Sequence, residues 1–322
     1  MSLYPLKFQS IFKYRIWGGD KLKTTLNKNY SDDCIGESWE LSDVDGDISI
    51  IDNGAYKGTG LNFLLEKYPN EILGKKVFND SGYKFPLLLK FIDAKLPLSI
   101  QVHPNDEIAK QRYDSLGKSE MWYVMDSDAD AELIIGFNEE VTKTTYQKAI
   151  DTSTITAILN TVKVKKGDAF YIPAGRIHAI GAGVMLAEIQ QTSDITYRIY
   201  DYDRVDKKTN SKRDLHTEQS LDVIDFEVLD SYETKYLKTE NVPNKLVYSP
   251  FFKTDVVFLD GQLTKNYSNK DSFVIYMCVD GNLDLAYNNI NYNLSKGEVM
   301  LLPAIINEVV IKGKAEFIEV YM

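Results

Sequence analysis

The chain contains only three histidines, His103, His178 and His216. In Gln101-Val102-His103-Pro104, strand alternation places Gln101 and His103 on one face, where two side chains can address one ion. His178 ends the pattern Gly167-x5-Pro173-x-Gly175-x2-His178, whose glycines permit tight turns and bring the imidazole out just after a bend. Lys90 is a candidate of another kind. It interrupts the apolar run Pro86–Phe91, and an ammonium inside an apolar strand needs a reason. Cys34 and Cys278 match no metal or redox spacing and read as reduced thiols.

Short β-type runs must hold these residues: Phe85–Phe91, Leu98–Val102, Met121–Met125, Ala131–Ile135, Ala169–Ile172 and Val184–Gln190. Their period-2 alternation predicts an antiparallel sandwich or barrel. Helical spacing falls between them, over Asn62–Glu71, Asp106–Leu116, Thr144–Leu159 and Asp214–Val223. From Val242 onward only strands and turns are expected, which puts a boundary near residue 240. The chain has 322 residues, 44% of them hydrophobic and 12% aromatic, enough for a sizeable core and unlike a disordered chain. A net charge of −10 without a basic cluster argues against a nucleic-acid partner, and no long apolar stretch suits a membrane. The N-terminal stretch is interrupted by Lys7, Lys13 and Arg15, which predicts a cytoplasmic protein with no signal peptide.

An internal repeat is legible. Lys166-Gly167-Asp168, Pro173-Ala174 and Ala187-Glu188-Ile189 recur as Lys296-Gly297-Glu298, Pro303-Ala304 and Ile318-Glu319-Val320. The His178 pattern matches the second cupin motif without its trailing Asn. The first motif is stretched, with Gln101-Val102-His103 for a His-x-His pair and Glu120 as the acidic candidate after a helical insertion. The expected fold is mainly β: two cupin-type (jelly-roll) β-barrels with helical insertions in the first. Residues 1–240 would form a catalytic zinc-binding unit and 241–322 a β-barrel without metal ligands. Aligned on the repeat, His178 corresponds to Glu308, and Glu120, placed through Tyr123 and Tyr276, to Phe273.

The motifs 98-LSIQVHPND-106, 117-GKSEMWY-123, 172-IPAGRIHA-179 and 188-EIQQTSDITYRIYDYDR-204, with Gly36-Glu37-Ser38-Trp39-Glu40, resemble the type I phosphomannose isomerase family in its shorter bacterial form. The resemblance implies a mannose-6-phosphate isomerase, an aldose-ketose isomerase that interconverts mannose 6-phosphate and fructose 6-phosphate through a cis-enediol. It implies one zinc per chain, held by Gln101, His103, Glu120 and His178, with Gln101 either a ligand or the orienter of a water. Arg198, Lys118 and Glu188 would be catalytic, and Lys90 and Trp17 would bind substrate. An ion pair between Glu188 and Arg198, a dipole role for Lys118 and a packing role for Trp17 remain open alternatives. Trp39, Arg176 and the segment Asp201–Arg204 are further candidates for sugar or phosphate, whereas His216 reads as structural. The position of a tyrosine used in longer members is Ile180. The partner would be a small sugar phosphate, and the assembly a monomer or homodimer. Two alternatives remain: an iron-dependent cupin oxygenase on the same triad, and a non-catalytic sugar-binding cupin. Oxygen uptake and a coupled fructose 6-phosphate assay separate the three.

Overall fold

The computed structural model describes residues 3–322, so the first two positions of the expected unit 1–240 lie outside it. Six antiparallel strands form one sheet, in the order Ile11–Gly19, Ile35–Leu41, Leu87–Ala94, Val184–Gln191, Glu120–Ser127 and Ala169–Ile172. Five more form a second, in the order Tyr197–Tyr200, Ile100–Val102, His178–Ile180, Glu132–Phe137 and Leu159–Lys163. The sheets stack through a core that includes Ile92, Trp122 and Leu186 from the first and Leu133, Ile135 and Ile180 from the second.

The C-terminal sheet runs Pro243–Tyr248, Lys253–Asn266, Glu308–Tyr321, Val274–Tyr287, Ile290–Ser295, with Val299–Leu302 also on Val274–Tyr287. Gly261 and Gly313 are register partners in its long strands, and both have positive φ, 97° and 154°. A side chain there would be strained, and the pair marks a bend in the sheet. Beyond that bend Leu283 and Ile311 share one core with Val257 and Phe317. All these sheets are open, and no closed barrel is found among the described residues.

The central six-stranded sheet is covered on both faces. Leu87, Leu89, Phe91, Met121, Tyr123 and Ile189 join a core with Val256, Phe273, Ile275, Met277, Ile318 and Val320 of the C-terminal sheet. Their alternating neighbours Lys90, Trp122 and Glu188 line a cavity on the other side. Double coverage is why Leu87–Ala94 and Val184–Gln191 are buried at every position, their polar Lys90 and Glu188 included.

Helices form at the four expected places with different bounds, and a further one, Lys75–Ser81, falls where none was expected. The expected Asn62–Glu71 splits into Leu61–Lys67 and Pro69–Leu73, because Pro69 cannot donate into a continuing helix. Thr144–Leu159 stops at Asp151, where Ser153 takes φ 55° and Leu159 opens a strand. The repeat also shifts. Phe170 pairs with Trp122 and Met300 with Tyr276, while Ile172 pairs with Glu120 and Leu302 with Val274. Trp122 therefore corresponds to Tyr276, and Glu120 to Val274, one residue from the expected match through Tyr123 and Phe273. Tyr123 fails as the anchor because it points to the inter-sheet core.

Candidate active site

Cross-strand register places the site. On the second sheet, Gln101 lies between His178 and Arg198. On the first, Lys90 lies between Trp39 and Glu188, and Glu188 between Lys90 and Trp122. Residues opposite one another share a face, so each sheet presents a row of functional groups. The cavity between the rows has a volume of about 420 Å³.

His103, Glu120 and His178 bring ligand atoms within 4.8 Å of one another, and all three are buried. Nδ1 of His103 lies 2.8 Å from the Ile195 carbonyl, and Nδ1 of His178 lies 2.8 Å from the Arg176 carbonyl. A carbonyl only accepts, so each Nδ1 carries the proton and each Nε2 keeps its lone pair for the shared space. Glu120 Oε1 lies 3.2 Å from His103 Nε2, and Oε2 lies 3.8 Å from His178 Nε2. Burial, reinforced by Lys118, lowers the His103 imidazole to about 3, and burial lowers that of His178 as well, so both are neutral near pH 7. Burial alone would raise Glu120, but Lys118 and His103 hold it well below the usual carboxylate range. Two neutral imidazoles and one carboxylate are the donors of an open divalent-metal site. The Gln101 amide lies 3.3 Å from His178 Nε2, and a half-turn of that amide presents oxygen at the same place.

Lys118 is buried, with Nζ 3.2 Å from His103 Nε2 and paired to Glu120. It thus touches the donor set, which a helix-dipole role would not require. Lys90 Nζ is 2.9 Å from Glu188 Oε1 and 4.0 Å from Glu37 Oε2, all three residues being buried. Burial would lower Lys90, but Glu188 and Glu37 raise it. Glu188 is raised, first by burial and then by Glu120. Its Oε2 accepts from Trp122 Nε1 at 2.8 Å, and the same indole N–H reaches Glu120 Oε2 at 3.0 Å.

Arg198 lines the cavity and donates Nη1 to the Asp214 carbonyl at 2.9 Å, while its buried Nε has no hydrogen-bond partner. The ion pair with Glu188 is not formed. Asp201 instead pairs with Arg204 and Arg213. Trp17 is buried and lines the cavity, as do Trp39 and Ile180. Arg176 lies elsewhere, over the Tyr232 ring at 5.0 Å and 3.4 Å from Asp225, and Arg204 is taken up by Asp201 and the Pro97 carbonyl. His216, expected to be structural, lines the cavity and also bonds Arg198.

Arg15 and Glu37 escaped the sequence reading. Glu37 accepts from Arg15 Nε and Nη2 at 2.8 and 3.0 Å and from Trp39 Nε1 at 2.7 Å. Burial would raise its carboxyl, but Arg15 and Lys90 hold it down at about 2. The available signals were the acids inside the strand-like run Ile35–Leu41 and the place of Glu37 in the Gly36–Glu40 stretch that carries the family resemblance, neither of which assigned it a role.

A mainly β fold that gathers two imidazoles, a carboxylate and a charged cavity between stacked sheets is that of a cupin-family enzyme with a candidate metal centre. Residues 5–149 match the family model for the phosphomannose isomerase type I catalytic domain, and residues 244–322 that for the mannose-6-phosphate isomerase cupin domain. The chain is 36% identical over 321 residues to the mannose-6-phosphate isomerase ManA of Bacillus subtilis, covering 99% of each. It is 35% identical to the mannose-6-phosphate isomerase of Streptococcus mutans, covering 98% of this chain and 97% of that one. The crystal structure of the Bacillus subtilis mannose 6-phosphate isomerase superposes with a TM-score of 0.90 at 31% identity, covering 99% of each chain. The chain belongs to the type I phosphomannose isomerase family, the mannose-6-phosphate isomerases.

Proposed function

We propose that this chain interconverts mannose 6-phosphate and fructose 6-phosphate in the cavity between the stacked sheets, moving a proton between C1 and C2 through a cis-enediol. The observation that carries this reading is the cluster of His103, Glu120 and His178 donors, touched by Lys118 and Gln101, which with Lys90, Glu188 and Arg198 line the adjoining polar cavity. One zinc ion per chain, held by His103, Glu120 and His178 with Gln101 as the fourth ligand, would act as a Lewis acid toward the sugar's C1 and C2 oxygens.

The chain's own groups supply the rest. Glu188, raised by burial, is suited to take and return the proton, and Lys90 fixes its orientation. Arg198, on the cavity wall, would hold its permanent charge toward the oxygen that becomes anionic. Lys118 sets the positions of Glu120 and His103, and Trp17 walls the sugar. Lys90 and Trp17 together bind substrate. Residues 1–240 act as the catalytic unit and 241–322 as a second cupin-type unit without metal ligands, each on a jelly-roll plan. The chain works in the cytoplasm as a monomer or homodimer. No helix among the described residues is long and apolar enough to cross a membrane.

A coupled fructose 6-phosphate assay, run with and without chelator and with oxygen uptake recorded, tests the proposal. Isomerisation should stop on chelation, return with zinc and consume no oxygen. Full activity in metal-free protein would sink the mechanism.

A further inference from the structure

The C-terminal sheet carries a second cavity of about 750 Å³, lined by residues of three strands and of the loop that follows Asn266. Its construction parallels the first. Glu319 lies between Asp255 and Tyr276 in the register, as Glu188 lies between Lys90 and Trp122. Lys265 Nζ is 2.7 Å from Glu319 Oε2, with both side chains buried, and Tyr267 donates to the same oxygen at 2.8 Å. The pair repeats Lys90 and Glu188 on adjacent strands, with the lysine at a different position along its strand. The metal donors are not repeated, because Val274 and the exposed Glu308 stand at the positions of Glu120 and His178. This cavity is built for binding without metal chemistry.

The charges that remain define what it would bind. Glu319 is neutralised by Lys265. Asp255 accepts from the Tyr248 hydroxyl at 3.0 Å and the Tyr321 hydroxyl at 3.2 Å. Asp271 caps the backbone amides of Lys75 and Lys76. Besides the exposed Lys76, the two lysines Lys253 and Lys270 are left over. Both line the cavity, with Nζ 5.9 and 3.1 Å from the centroid of the Tyr321 ring, and neither has a carboxylate within ion-pairing distance among the described residues. Two half-buried ammonium groups held beside one aromatic ring suit a compact dianion.

We propose that this second cavity binds the phosphate of a small phosphorylated metabolite through Lys253 and Lys270, with the Tyr321 ring beside it. The shared chemistry is the phosphate dianion, carried by a sugar phosphate or by inorganic phosphate.

Equilibrium dialysis of the full chain against radiolabelled fructose 6-phosphate tests this. The native chain should bind two equivalents. The double variant Lys253→Met and Lys270→Met should retain one, with second-site affinity weakened about tenfold or more and turnover unchanged, because neither lysine reaches the catalytic cavity. Circular dichroism and melting temperature report whether the variant folds, and Lys270→Arg, which keeps the charge, should retain the second equivalent. Displacement of one equivalent by inorganic phosphate would identify phosphate alone as sufficient; failure to displace it would identify the sugar phosphate. The same number of equivalents in the native chain and the double variant, or equal binding of unphosphorylated fructose, would each overturn the proposal. The readout is the equivalent lost on substitution, so the result stands apart from whether the first cavity isomerises.

Discussion

Arg198 and His216 are tied together by two hydrogen bonds, one to the backbone and one to the imidazole: His216 N donates to the Arg198 carbonyl at 2.7 Å, and Arg198 N donates to His216 Nδ1 at 3.2 Å. The clamp joins strand Tyr197–Tyr200 to the start of helix Thr217–Val223 and leaves the guanidinium free to face the cavity.

Arg198→Ala should therefore keep its fold and its metal, because no ion pair is broken, and lose turnover. The expected fall in kcat is about two or more orders of magnitude, with a smaller rise in KM, as for loss of a preorganised oxyanion donor. Arg198→Lys should recover part of it. Steady-state kinetics on zinc-loaded protein decide, and normal turnover in Arg198→Ala would refute the role.

Metal content gives a second check. His103→Ala and His178→Ala should lose metal and activity together, since each Nε2 is one of three strong donors. His216→Ala should stay loaded. Elemental analysis should find one zinc per native chain, and two would contradict the absence of donors in the C-terminal unit.

Acid stability tests Glu37. Its carboxyl is held at about 2 in the folded protein, below its unfolded value, so pairing with Arg15 and Lys90 contributes fully above about pH 4.5 and is lost as pH falls toward 2. The gap corresponds to roughly 3 kcal/mol. Urea unfolding across that window should show the loss in native protein and a flatter profile in Glu37→Gln. Equal slopes would exclude the depressed carboxyl as its source.

Truncation tests the shared core. Ending the chain before Val242 would expose Leu89, Phe91, Met121, Tyr123 and Ile189, which pack against the C-terminal sheet. The fragment should aggregate or melt well below the full chain. A soluble fragment with an unchanged melting temperature would show that the inter-sheet face adds nothing.

The candidate metal donors were legible in part through local spacing, a His two residues from Gln101 and a His just past a Gly-Pro-Gly bend. As a set they were legible only through the family resemblance; the strand itself stops at Val102, one residue before His103. Lys90 was legible by contrast with its apolar neighbours. Glu37 was not, since its partner Arg15 lies on another strand and pairing depends on sheet register, which short runs do not encode. The same limit displaced the repeat by one residue at Tyr123 and hid the second cavity, whose lysines look like ordinary surface charges in Lys253–Asn266 and the following loop. Helix ends were misjudged where Pro69 and Ser153 impose backbone states that apolar spacing ignores.

The doubly covered central sheet makes the candidate catalytic row a matter of parity. In Leu87–Ala94, even-numbered Lys90 faces the cavity, and odd-numbered Leu89 and Phe91 face the other half of the molecule. A one-residue deletion upstream in that strand would reverse every side chain beyond it. The ammonium would then enter an apolar seam without a counter-ion, and a leucine or phenylalanine would meet the sugar. Changes of chain length are thereby restricted to the connections, while each central strand must conserve its residue count even where individual side chains can be exchanged.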